Sequence, residues 1–196
     1  MAGSDVKAVF ITADTNAVDA ASVAAAARPN TDFTIDGTDT DGGVATFAAG
    51  RIITCTTSGT GDNGKTVTLT GTDVNGDSQT EVITLSASAT AHSGTKYFKT
   101  ITAAAASSQP AANVSIGMAA GAADVIFAGR SRLKGAYIVN SGTDGTLDFL
   151  TTSPTGTSVM KLGTVASATV TRDVHIPEEG VMFTAGVYIQ YTISTF

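Results

Sequence analysis

Asp73-Val74-Asn75-Gly76-Asp77 offers side-chain oxygens at alternate positions, the spacing with which a calcium loop begins. The remaining ligands and the terminal Glu of such a loop are missing. Asn75-Gly76 accepts the positive φ angles of a tight hairpin turn, so the run reads as a turn and no metal is expected. Asp36, Asp39 and Asp41 lie in an Asp- and Gly-rich stretch and read as a solvated loop. Glu178-Glu179 is a carboxylate pair of the kind used in acid/base chemistry. Adjacent residues between Pro177 and Gly180 point in different directions, however, and nothing fixes a third acid opposite them. Cys55 is the single cysteine, which excludes an intrachain disulfide and a multi-cysteine metal site. Within Ile52-Ile53-Thr54-Cys55-Thr56 it reads as a buried, inert thiol. Neither His92 nor His175 has a nearby partner suggesting a dyad, and His175 reads as an ordinary strand histidine. With no nucleophile beside a base, no catalytic residue and no cofactor are expected, and the chain is read as not an enzyme.

Arg130, Arg132 and Lys134 form the one local cluster of positive charge, at alternate positions that share a face if the segment is a strand. Such a trio reads as a solvated face or as a docking patch for an acidic protein surface. It does not suit nucleic acid: 11 basic against 17 acidic residues give a net charge of −6, and no run of Lys or Arg exists to neutralise a phosphate backbone. No apolar run approaches the roughly 20 residues of a membrane helix. The first residues are not those of a signal peptide, so synthesis and folding in the cytoplasm are expected.

The elements that must carry these residues read as β-strands. Charged residues make up only 14% of the 196 and hydrophobic ones 42%, so Thr, Ser, Asn and Gly must cover much of the surface. A neutral, hydroxyl-rich surface suits a protein surrounded by other protein copies. Residues 51–57 are rich in β-branched residues and bounded by Gly50 and Gly59, and in 65–70 Val67 and Leu69 alternate with threonines, the period of a half-buried strand. Asn63-Gly64 and Asn75-Gly76 read as hairpin turns, with 79–85 as the returning strand. Residues 31–37, 44–47, 96–102 and 114–118 complete the first unit. Of Tyr97 and Phe98, one ring should face the core and the other outward or towards a partner. Residues 103–113 read as an Ala- and Ser-rich connection. Candidate strands at 125–127, 132–140, 145–151, 158–162, 168–176 and 186–193 make up a second unit. The expected fold is all-β: an N-terminal arm (1–30) and two β-sandwich or barrel-like units (31–118 and 119–196).

The hairpin TVTLTGTDVNGDSQTEVITL (66–85), followed by YFKTITA (97–103) and VSIGM (114–118), resembles a β domain common in structural proteins of tailed bacteriophages. The runs RLKGAYIVNSGTDGTLDFL (132–150) and DVHIPEEGVMFTAGVYIQYT (173–192) are similar to the companion module of such virion proteins. The resemblance implies a head decoration (cement) protein on the capsid exterior that binds the major capsid protein and stabilises the lattice by bridging its subunits. A homo-oligomer is expected, and a trimer fits local threefold sites between capsomers. A second reading is a tail or head fibre component that binds a host-surface glycan through Tyr188 or Tyr191. With no Trp, 4 Tyr and 8 Phe the chain is poor in the aromatic platforms this needs.

Overall fold

Stiff β-branched side chains and Gly-punctuated alternation favour extended backbone, and in the computed structural model every regular element among the described residues is a β-strand. The structure describes residues 8, 19–118, 124–127, 129–141, 144–152, 156–165, 169–177 and 179–191. In chain order the strands begin with β1 (Ala24–Ala27), β2 (Thr40–Asp41), β3 (Val44–Thr57), β4 (Thr66–Thr72), β5 (Ser78–Thr84), β6 (Ala91–Ala106) and β7 (Val114–Met118). They continue with β8 (Asp124–Phe127), β9 (Ser131–Leu133), β10 (Gly135–Ser141), β11 (Gly145–Thr151), β12 (Thr157–Thr164), β13 (Thr169–His175), β14 (Val181–Phe183) and β15 (Val187–Tyr191).

One sheet of eleven strands runs β12-β11-β15-β8-β3-β6-β4-β5, with β1, β2 and β7 attached beside this path. β10 with β13, and β14 with β9, make two further ladders. These two are one interrupted ribbon. Ser131 to Leu133 run against Phe183 to Val181, and Gly135 to Ser141 run against His175 to Thr169. Between the two stretches the Ile176 amide donates to the Lys134 carbonyl.

Two apolar clusters lie within this frame. The first gathers Val23, Phe33, Phe47, Ile53, Leu69, Phe98 and Ile116. The second gathers Ile138, Leu147, Phe149, Phe183, Val187 and Ile189. Ile138 from the ribbon and Leu147, Phe149 and Ile189 from the sheet share that second cluster, so ribbon and sheet face one another in a sandwich-like manner. The clusters meet where Gly50 of β3 pairs with Val125 of β8, and where the Tyr97 and Tyr188 rings pack edge to face at 5.7 Å. Phe98 is fully buried, so of the two adjacent aromatics one enters the core and the other contacts the β15 side.

Several segments differ from the sequence reading. Residues 44–47 and 51–57 are a single 14-residue strand, because Gly50, expected to end it, sits inside the ladder under Val74, Tyr97 and Val125 and has no room for a side chain. Only the second Asn-Gly turn closes a hairpin. Gly76, at φ 90°, joins β4 to β5, whereas β3 and β4 on either side of Asn63-Gly64 are separated by β6. Residues 103–106 belong to β6 and pair with β4, and their small side chains let residues 31–33 cross closely, with Phe33 N donating to Ala104 O at 2.9 Å. Residues 31–37 bury Phe33 as alternation predicts yet form only the Asp32–Ala105 bridge, since alternation reports burial and not pairing. Residues 132–140 are split at Lys134 into β9 and β10, and β14 was not anticipated.

Of residues 1–30, read as an arm, 1–7 and 9–18 lie outside the described residues, as do 119–123, where the boundary between the units was placed. Residues 24–27 pair with β7, and Val23 and Ala24 are buried in the first cluster.

Candidate functional site

β9 and the residues on either side of it carry the cationic trio. Arg130, Arg132 and Lys134 are exposed while the intervening Ser131 and Leu133 are half-buried, the alternation that an extended backbone imposes. The Arg132 guanidinium lies 2.7 Å from the Glu179 carboxylate and donates to the Glu179 carbonyl at 3.1 Å. Arg130 donates to the sulfur of Met182 at 3.4 Å, across the β9–β14 ladder. Both members of the Arg132–Glu179 pair are solvated, so the bond contributes about 0–1 kcal/mol and is easily exchanged for another carboxylate. With Met182 itself 42% exposed, the surface is a mixed cationic and apolar face.

Several of the other sequence candidates have structural partners. Asp73 Oδ1 accepts the amides of Asn75 (2.8 Å) and Asp77 (3.0 Å), closing its own turn. Asp36 accepts the Ala25 amide at 3.0 Å, and Asp41 is exposed. Asp39 takes part in the same turn through its backbone, its amide donating to Ser22 O at 3.0 Å. His175 is exposed at the end of β13, while His92 lies opposite Cys55 and accepts the Ser86 amide at 3.4 Å. Burial, assisted by the nearby Glu81 carboxylate, pushes the Cys55 thiol up to about 12, so it is protonated and unreactive at neutral pH. Glu178 and the side chain of Tyr191 lie outside the described residues, and Tyr188 is half-buried against Tyr97. A cleft of about 320 Å³ opens between residues 25–29 and 32–36, where Arg28 is tied to the Pro110 carbonyl. Among the described residues no group of three or more His, Cys, Asp or Glu side chains could hold a metal ion. Nor is any helix among them long and apolar enough to cross a membrane.

Sequence reasoning missed the carboxylates that the fold turns inward. Glu81, 8% exposed on β5, receives on Oε1 the Thr95 amide at 2.5 Å, the Thr95 hydroxyl at 3.0 Å and the Lys96 amide at 3.1 Å. Those amides lie where β6 bulges, between the Ile52–Tyr97 and Thr54–Ser93 pairs, so one carboxylate satisfies donors that the ladder leaves over. The signal was present: Glu81 shares parity with Ile83 and Leu85, which forces it inward and Val82 outward. Asp62 is fully buried beside Lys65 at 3.1 Å and accepts the amides of Ala111 and Ala112. The two amides lie about fifty positions away along the chain, where no local pattern could reveal them.

No protein-family model, curated protein or solved structure matches the chain.

Proposed function

We propose that this chain is a non-enzymatic virion structural protein, a head decoration (cement) protein of a tailed bacteriophage built as two β units with an N-terminal segment. It binds the outside of the capsid and bridges subunits of the major capsid protein, without cofactor, nucleic acid or membrane. The observation that carries this reading is the one-sided distribution of exposed apolar side chains. Among the described residues Tyr137, Val139, Val159, Val165 and Met182 are exposed in the C-terminal half, against Val82 in the N-terminal half. Together with the Arg130, Arg132 and Lys134 face, they make that half suited to cover a capsid joint, with apolar contact supplying affinity and the cations selecting an acidic surface. Repetition over many sites would multiply a modest contact into resistance to rupture. The test is cosedimentation of the purified protein with expanded capsids, together with the heat resistance of particles lacking it. Saturable binding, weakened when Arg130, Arg132 and Lys134 are replaced by Glu, is expected. Failure to bind, with unchanged particle stability, overturns the reading.

A further inference from the structure

We propose that β10 is a self-pairing edge, through which two copies of this chain join their β10–β13 ribbons into one four-stranded layer. An open strand edge is a template for another strand, and folded chains guard it with charge, bulges or brevity. The other long edges here are guarded. β5 turns Glu81 inward, β12 carries Lys161 and a register shift against β11, and β13 carries the exposed Asp173. β1 and β14 are four and three residues long. β10 has seven residues, Gly-Ala-Tyr-Ile-Val-Asn-Ser, with no charge and no proline, and its register with β13 is unbroken. Among the described residues no strand pairs with its second side.

The occupant follows from charge. In a twofold antiparallel pairing each strand meets its own sequence reversed, so charges on the strand tend to meet their own sign; β10 brings none. Centred on Ile138, such a pairing sets Tyr137 of one copy opposite Val139 of the other, twice. Aromatic and β-branched partners are favourable across strands. These two side chains are 68% and 43% exposed on the face of β10 away from the core, while Ile138 is buried beneath them. Pairing would cover apolar surface that the single chain leaves in water.

This proposal uses Tyr137 and Val139, which the capsid reading also counts among its exposed apolar residues, but its test uses the isolated protein, so either can fail without the other. Sedimentation equilibrium should show a monomer–dimer system for the native chain. Tyr137→Lys/Val139→Lys and Tyr137→Glu/Val139→Glu set like charges opposite one another and should each weaken self-association about tenfold or more. Circular dichroism serves to confirm that both variants keep the fold, as exposed substitutions should. An equimolar mixture should regain the dimer as a Lys–Glu heterodimer. A native chain that is monomeric at its highest soluble concentration, or that forms trimers, overturns the proposal. So does a pair of folded variants that dimerise as before, or whose mixture does not associate.

Discussion

Asp62 is a carboxylate that the fold must keep ionised. Burial raises its carboxyl, but the Ala111 amide, Lys65 and the Ala112 amide together outweigh that and hold it below the ordinary aspartate range. A carboxyl lowered on folding contributes stability that is fully present above its unfolded value, about 3.9, and is lost as pH falls through the lower folded value. Asp62→Asn should therefore destabilise the protein at pH 6 by about 1–3 kcal/mol, through amides left without an ionised acceptor. It should also flatten the loss of stability on acidification, although Asp148, lowered by Lys161 and Ser158 against its own burial, keeps part of that loss. Urea midpoints measured from pH 6 down to pH 2.5 check this, and parallel curves for the two proteins would contradict it. Glu81 allows a test of geometry. A methyl group at Gly94 would collide with its pinned carboxylate, so Gly94→Ala should be costly in the native background and much milder beside Glu81→Ala. A double-mutant cycle with no coupling would show that the two do not touch.

Among the elements, the β4–β5 hairpin is the one most directly written in the sequence. Val67 and Leu69 are fully buried and the intervening threonines half-exposed, in the register that alternation and the Asn75-Gly76 turn set between them. The turn depends on a backbone conformation that only Gly adopts cheaply. Gly76→Ala, at φ 90° in open space, should cost about 1–2 kcal/mol from backbone strain alone. Gly163→Ala, on a strand with ordinary φ and equally open surroundings, should be near neutral. Denaturation midpoints of the two variants separate conformational strain from crowding, and equal effects would refute the strain account. β6 is the opposite case. Its 16 residues include an alanine run that reads as a connection, and it becomes strand because β3 and β4 supply partners along the length of β6. Segment 31–37 fails in the other direction, with the burial of a strand and almost none of its pairing.

On the scale of the molecule, the β3–β8 junction ties two apolar clusters into one sheet. Gly50 allows the close approach, and the Tyr97–Tyr188 pair adds about 0.5–1.5 kcal/mol beyond the area it buries. Tyr97→Ala and Tyr188→Ala should each lower the melting temperature, and the double variant should lose less than their sum. Calorimetry on the four proteins checks this, and strict additivity would mean that the rings do not couple the two halves. The same scale separates what the residues announce from what they leave open. Composition, two-residue periodicity and Asn-Gly chemistry mark this chain as all-β, place most of its strands, bury Cys55 and put Arg130, Arg132 and Lys134 on a common exposed face. Each of these follows from neighbours a few residues apart, over which extended backbone and turn angles act. Neighbour order in the sheet, the place of Gly50 inside a strand, the conversion of 103–106 into ladder, and the burial of Asp62 against amides far along the chain emerge only on folding. Their physical cause is non-local: which edge meets which is settled by shape and by the need to satisfy every buried amide, and sequence spacing carries no record of that.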